Sequence, residues 1–241
     1  MERKEIRSSK IILVPDVHGD VHWKKGLKYF NKDRDSIMVF LGDYLDPYTR
    51  YDSITHEDAY NNFLEILEFV KANPLRVILL RGNHDEYLFD ERRESCRHDY
   101  YNLGRNRKLF QDNINLFRFA YKEGDYLFTH AGVCDKWLRQ NQLEEIIDEN
   151  NIVDYLNNNP STLWQVGASR GGRGYGSPLW CCWEGDWPYV SNPFNLFQVF
   201  SHTWDPDVHN VRKDLSKKIM CLDCRECFLL DTETGEISLL S

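Results

Sequence analysis

Three observations predict an α/β fold built on parallel crossover units. Apolar runs alternate with segments of helical periodicity through the first third of the chain. Five apolar runs, IILVPDVHGD, MVFLGDYLD, VILLRGNHDE, YLFTHAG and VFSHTW, close on an Asp, Asn or His. The 241 residues are 41% hydrophobic and contain no repeat, low-complexity tract or linker, so one domain with a single large core is expected over residues 1–241.

Lys10 to Asp16 reads as the first strand, and VHWKKGLKYF sets Trp23, Leu27 and Phe30 at helical spacing. Ser36 to Asp43 is a second strand. His56 to Asn73 is a helix with Ala59, Phe63, Leu67 and Val70 on one face, stopped by Pro74, and Arg76 to Asn83 is the third strand. Residues 86–120 form a polar insertion, helical in parts, with Leu109, Phe110, Leu116 and Phe117 available for packing. LEEIIDENNIVDYL predicts a helix over 142–159, ended by an Asn run and Pro160. Near the end, IMCLDC and CFLLDT read as paired strands, with a DTETGEI turn before a final strand.

A side chain just past a strand's last residue projects from its carboxyl end, where crossover units bind their ligands. Five such ends side by side in one sheet would gather Asp16, His18, Asp43, Asn83, His130 and His202 in one crevice. The two oxygens of Asp43 can bridge ions about 3.5–4 Å apart. Asn83 adds a neutral oxygen that limits negative charge. Imidazole mixed with carboxylate suits two divalent ions, Mn first, with Fe, Zn, Co or Ni as substitutes, better than Ca. Two such ions lower the pKa of a shared water from about 15.7 toward neutrality, giving a hydroxide for in-line attack on phosphorus.

The strings DVHG, GDYLD, GNHDE, THAG and SHT resemble the calcineurin-like metallophosphoesterases, in particular the branch with the serine/threonine phosphoprotein phosphatases, and SPLW at 177–180 matches a further element of that branch. The resemblance implies a four-layer αββα sandwich: two mixed β-sheets flanked by helices, with a dinuclear site at the carboxyl ends of the strands. It assigns Asp16 and His18 to one metal, Asp43 to both, and Asn83, His130 and His202 to the other. His84, paired with Asp46, stands beside the site as general acid, since a carboxylate neighbour favours its charged form. The implied function is hydrolysis of phosphomonoesters, on a phosphoprotein or a small phosphate ester, by a metal-bridging hydroxide. A nucleotide pyrophosphohydrolase, acting for example on dinucleoside polyphosphates, is the alternative. A non-catalytic binding module is disfavoured because all six ligands and His84 are present.

Two residues depart from the family pattern: Pro15 before Asp16, which a strand end tolerates, and Pro47, where the phosphoprotein phosphatases carry an arginine that grips phosphate. Arg50, Arg81, Arg170 and Arg173 are candidate replacements. The pair Arg170 and Arg173 in ASRGGRGYG is favoured, because glycines let backbone amides approach an anion and the guanidinium fork matches phosphate oxygens. His22, His56, His98 and His209 carry no motif and are read as surface or capping residues.

Seven cysteines and no apolar leader before the first strand point to free thiols and a cytoplasmic setting. CLDCREC lacks a fourth zinc ligand nearby, so Cys221, Cys224 and Cys227 are read as packing groups, as are Cys181 and Cys182. WCCWEGDWPY is read as core aromatics. The net charge of −8 argues against stable nucleic acid binding. No segment reaches the roughly 20 apolar residues that span a bilayer.

Overall fold

The apolar runs become strands in two mixed sheets flanked by helices. The computed structural model describes residues 8–93, 97–205, 207 and 211–240. Its strands are β1 (Lys10–Val14), β2 (Ile37–Phe40), β3 (Val77–Leu80), β4 (Phe117–Arg118), β5 (Tyr121–Glu123), β6 (Tyr126–Phe128), β7 (Phe197–Phe200), β8 (Arg212–Asp214), β9 (Ile219–Cys221), β10 (Cys227–Asp231) and β11 (Ile237–Leu240). The chain forms two compact units, one running to Phe117 and resuming at Arg225, the other Arg118–Cys224.

In the first unit the sheet order is β11-β10-β1-β2-β3-β4, with β1, β2 and β3 parallel and β10 antiparallel to β1. Every residue from Ile11 to Val14 and throughout β2 and β3 is buried, as parallel strands covered on both faces require. The helix α1 (Leu27–Lys32) is preceded by a 3₁₀ turn at His22–Gly26, so the expected single helix is split. Thr55 caps α2 (His56–Ala72) through a reciprocal box: its Oγ1 accepts the Asp58 N–H at 3.1 Å and the Asp58 carboxylate accepts the Thr55 N–H at 2.9 Å. The apolar face of α2, with Ala59, Phe63, Leu67 and Val70, packs on Val14, Phe40 and Leu79 in one core. The insertion supplies α3 (Glu86–Phe89) and α4 (Leu103–Asp112), and Phe110 stacks on Phe63 and Phe117.

In the second unit the order is β5-β6-β7-β9-β8, with β6, β7 and β9 parallel. Trp137 and Leu138 of α5 (Asp135–Gln140) and Ile152 and Leu156 of α6 (Ile152–Asn158) share a core with Leu127, Phe200 and Trp187.

Four expectations need correction. The five ligand-bearing runs do not share one sheet: three end in the first sheet and two, β6 and β7, in the second. The helix expected over 142–159 is confined to α6, because Asp148 accepts the N–H groups of Asn150 and Asn151 and so favours a turn. The runs around Cys221 and Cys227 do not pair, since β9 and β10 belong to different sheets. His22 is buried, 3% exposed, rather than on the surface. His56 opens α2, His98 packs between Tyr87 and Tyr100, and His209 lies outside the described residues.

Cys134, Cys181, Cys182, Cys221, Cys224 and Cys227 are buried thiols. The Cys221 and Cys227 thiols donate to the Ser201 and His22 carbonyls respectively, each at 3.2 Å, and burial pushes the Cys221 thiol up. No helix among the described residues is long and apolar enough to cross a membrane.

Candidate metal centre

In the first unit, Asp16 and His18 follow β1, Asp43 and Asp46 follow β2, and Asn83 and His84 follow β3. The parallel register of the three strands puts these loops beside one another. Glycine allows the closest approach: a Cβ at Gly82 would lie 2.0 Å from Asp43 Oδ1, and Gly42, at φ 114°, would meet the Gly82 nitrogen at 2.5 Å. Asp85 then ties the loops, its carboxylate accepting the N–H groups of Gly82, Asp43 and Tyr44 at 2.8, 2.9 and 3.0 Å.

His18, Asp43, Asp46 and, in the second unit, His202 all have positive φ, between 42° and 70°. Such backbone costs about 1–3 kcal/mol per residue and persists only where the surroundings impose it, typically at functional sites.

His18 is buried, with Nδ1 3.1 Å from the Leu45 carbonyl. Donation there fixes the tautomer that leaves the Nε2 lone pair facing Asp16 Oδ2 at 3.9 Å and Asp43 Oδ2 at 3.6 Å. Burial, with the positive potential of His84 and Arg97, holds the imidazole well below its ordinary pKa and so in the neutral, ligating form. Asp43 is pushed the other way: burial first, then the charges of Asp16 and Asp85, hold its carboxyl well above the usual range. A cation among these groups would relieve that repulsion. Bonds of about 2.0–2.2 Å to one ion place its ligands roughly 3–4 Å apart, the spacing seen here.

His84 Nδ1 lies 3.2 Å from Asp46 Oδ2, and the other Asp46 oxygen accepts the Tyr87 hydroxyl at 2.7 Å. The His84 N–H donates to Asp43 Oδ1 at 2.8 Å, and its ring stands edge-on to His18 at 5.3 Å. Asn83 is 6% exposed.

In the second unit, His130 lies two residues past β6 and His202 two past β7. His202 Nδ1 is 3.2 Å from His130 Nε2, a spacing suited to two imidazoles on one ion. Gln198 clamps the first loop by bonding both the N–H and the carbonyl of Val133, at 2.7 and 2.9 Å. The Ala131 N–H donates to Pro178 in SPLW at 2.7 Å, and Trp180 packs edge-on against His202.

The arginines are distributed differently. Arg81 is largely buried, its guanidinium 3.7 Å from Glu86 and over the Phe89 ring. In the second unit Arg170 ends a 3₁₀ turn, Arg173 lies on the loop that follows, and both are exposed. Sequence reasoning passed over Arg97, whose Nη2 lies 3.4 Å from His84 Nε2 and whose guanidinium stacks 3.4 Å above Tyr48. Arg225, paired with Asp52 at 2.6 Å, stands on the same ring at 5.4 Å. The basic cluster ahead of HDYY was the available signal for Arg97.

Burial pushes the Glu86 carboxyl from 4.5 up to about 8, with Arg81 opposing. Between those pH values the folded chain holds a proton that the unfolded chain has released, so this group's contribution falls as pH rises. Glu86→Gln should flatten the decline in stability between about pH 5 and about pH 8, read from urea midpoints. An unchanged slope would assign the titration to another group.

A model of the calcineurin-like phosphoesterase family matches residues 9–212. No curated protein matches the sequence. Among solved structures, the fold is similar to the cold-active protein-tyrosine phosphatase of a psychrophilic Shewanella species, with TM-score 0.56 and 17% identity over 96% of this chain and 80% of that one. It is similar to a Saccharomyces cerevisiae protein serine/threonine phosphatase related to human phosphatase PP5, with TM-score 0.57 and 14% identity over 100% and 81%. It is also similar to a candidate diadenosine tetraphosphatase, with TM-score 0.51 and 14% identity over 95% of this chain and 92% of that one. At these identities the likeness is one of fold.

Proposed function

Because the chain belongs to the calcineurin-like phosphoesterases, we propose that it is a metal-dependent hydrolase of phosphomonoesters, acting on a phosphoprotein or a small phosphate ester. The observation that carries this reading is the neutral His18 imidazole facing two buried carboxylates from strained strand ends. Asp16 and His18 would hold one divalent cation, Asn83, His130 and His202 a second, and Asp43 both. Manganese is the first choice of metal, and the mixed nitrogen and oxygen donors favour a first-row transition ion over calcium. Bound there, the pair would supply Lewis acidity to the phosphoryl oxygens and lower the pKa of a water nucleophile.

The chain's own residues do the rest. Leu45 orients His18, and Asp85 holds the backbone of Asp43. Asp46, itself fixed by Tyr87, holds His84 with Nε2 outward to protonate the leaving oxygen. Loss of a general acid costs about 10²–10⁴-fold where the leaving group needs a proton. His84→Ala should therefore slow hydrolysis of an alkyl phosphate far more than that of p-nitrophenyl phosphate, with manganese supplied to both. Equal losses would remove His84 from the acid role, and absence of any turnover in the wild type would discard the reading.

A further inference from the structure

In the first unit a pocket of about 450 Å³ opens beside His84, a volume in the range of small-ligand sites. Arg50, Arg97, His56 and His98 line it, with Tyr48 and Tyr100 among the aromatic walls. No carboxylate is among the described lining residues, although the chain carries a net charge of −8. Arg50 and Arg97 supply the formal charge among the described lining residues, which favours an anionic ligand.

Arg97 belongs to the pocket and to the site at once. Its guanidinium lies flat on Tyr48, and Nη2 is 3.4 Å from the nitrogen of His84 that faces away from Asp46. Tyr48 in turn touches His18 edge-on at 5.1 Å. Arg97 thus touches both His84 and a tyrosine ring of the pocket wall. Tyr100 is 74% exposed and its ring is backed by His98 at 3.8 Å, which leaves a face for a planar group to stack on.

We propose that this pocket receives the leaving group of the substrate and that the leaving group is a nucleoside phosphate, so that the protein removes the terminal phosphoryl group of nucleoside polyphosphates. The inference rests on the metal-dependent hydrolase reading above and departs from it in one respect, since the bond broken is a phosphoanhydride and not a monoester. A water oxygen bonds to the terminal phosphorus while the bond from that phosphorus to the bridging oxygen breaks. The products are inorganic phosphate, the shortened nucleotide and one proton. A leaving phosphate needs no proton near neutral pH, so Arg97 stabilises its charge directly, whereas a leaving alkoxide depends on His84. Phosphotyrosine offers a ring but no second phosphate for Arg97 and Arg50.

Binding of α,β-methylene-ADP, measured by calorimetry with manganese present, tests this independently of turnover. Wild type should bind it more tightly than free phosphotyrosine, and both Arg97→Gln and Tyr100→Ala should weaken binding roughly tenfold. Unchanged affinity in either variant, or tighter binding of phosphotyrosine, overturns the assignment. Turnover of p-nitrophenyl phosphate by the wild type, run in parallel, reports on the hydrolase reading. Nucleotide binding that follows both substitutions, without any turnover, would sink that reading and leave the pocket assignment standing.

Discussion

Asp43→Asn should abolish phosphoester hydrolysis while leaving the metal-free fold as stable as the wild type or more so. The side chain is 1% exposed, and burial together with Asp16 and Asp85 raises its pKa, so its ionised form is costly in the folded chain. A group with a raised folded pKa favours the fold while protonated and loses that contribution as pH rises. Asparagine removes the charge, keeps the shape and can still accept the His84 N–H through its side-chain oxygen. What it loses is the second anionic oxygen that the proposed pair of cations would share. Activity should fall further than in His84→Ala, for which about 10²–10⁴-fold is expected. Metal content after dialysis should drop, and the melting temperature in a chelator at neutral pH should hold or rise. A variant that binds metal normally but unfolds early would show that Asp43 serves the fold alone. Activity exchanged for stability at one residue is the usual signature of a functional site.

The part of the molecule legible in the sequence is the part that backbone periodicity and short strings encode. The strand, helix, strand alternation from Lys10 to Asn83 appears as β1, α2 and their neighbours, with boundaries off by up to three residues. Strand ends carry little side-chain contrast, so ladders fray where alternation continues. Sheet membership was not legible. Tyr126–Phe128 and Phe197–Phe200 look like the first three strands, and only the antiparallel pairing of β5 with β6 starts a second sheet. The run LEEIIDENNIVDYL has helical periodicity, yet local bonds from Asp148 compete with the helix, a choice that apolar spacing does not register. The arginines were least legible. Arg97 reaches His84 only through the path of the insertion, which has no periodicity to read, and Arg225 lay inside a stretch weighed for its cysteines.

Asp85→Ala should destabilise the protein by several kcal/mol and disable the site without replacing a proposed metal ligand. One carboxylate joins the loop after β2 to the loop after β3 by accepting three buried N–H groups. Burial pushes that carboxyl up to about 7, against the three donors that hold it down. Alanine leaves all three N–H groups without their acceptor, and each such loss costs about 1–3 kcal/mol. Typical folds are stable by only about 5–15 kcal/mol, so the sum approaches the whole margin. The damage should be local first, because Asp43 is held at φ 55° by one of these bonds and has a route back to ordinary backbone once released. Asp85→Asn keeps one accepting oxygen but turns an amide donor toward an N–H, so it should fall between wild type and alanine. Urea denaturation at neutral pH reads that order, and metal content in native buffer reads the loop. Wild-type stability in Asp85→Ala would mean that the close approach of Gly42 and Gly82 sets the loops unaided, and the tie through Asp85 would lose its role.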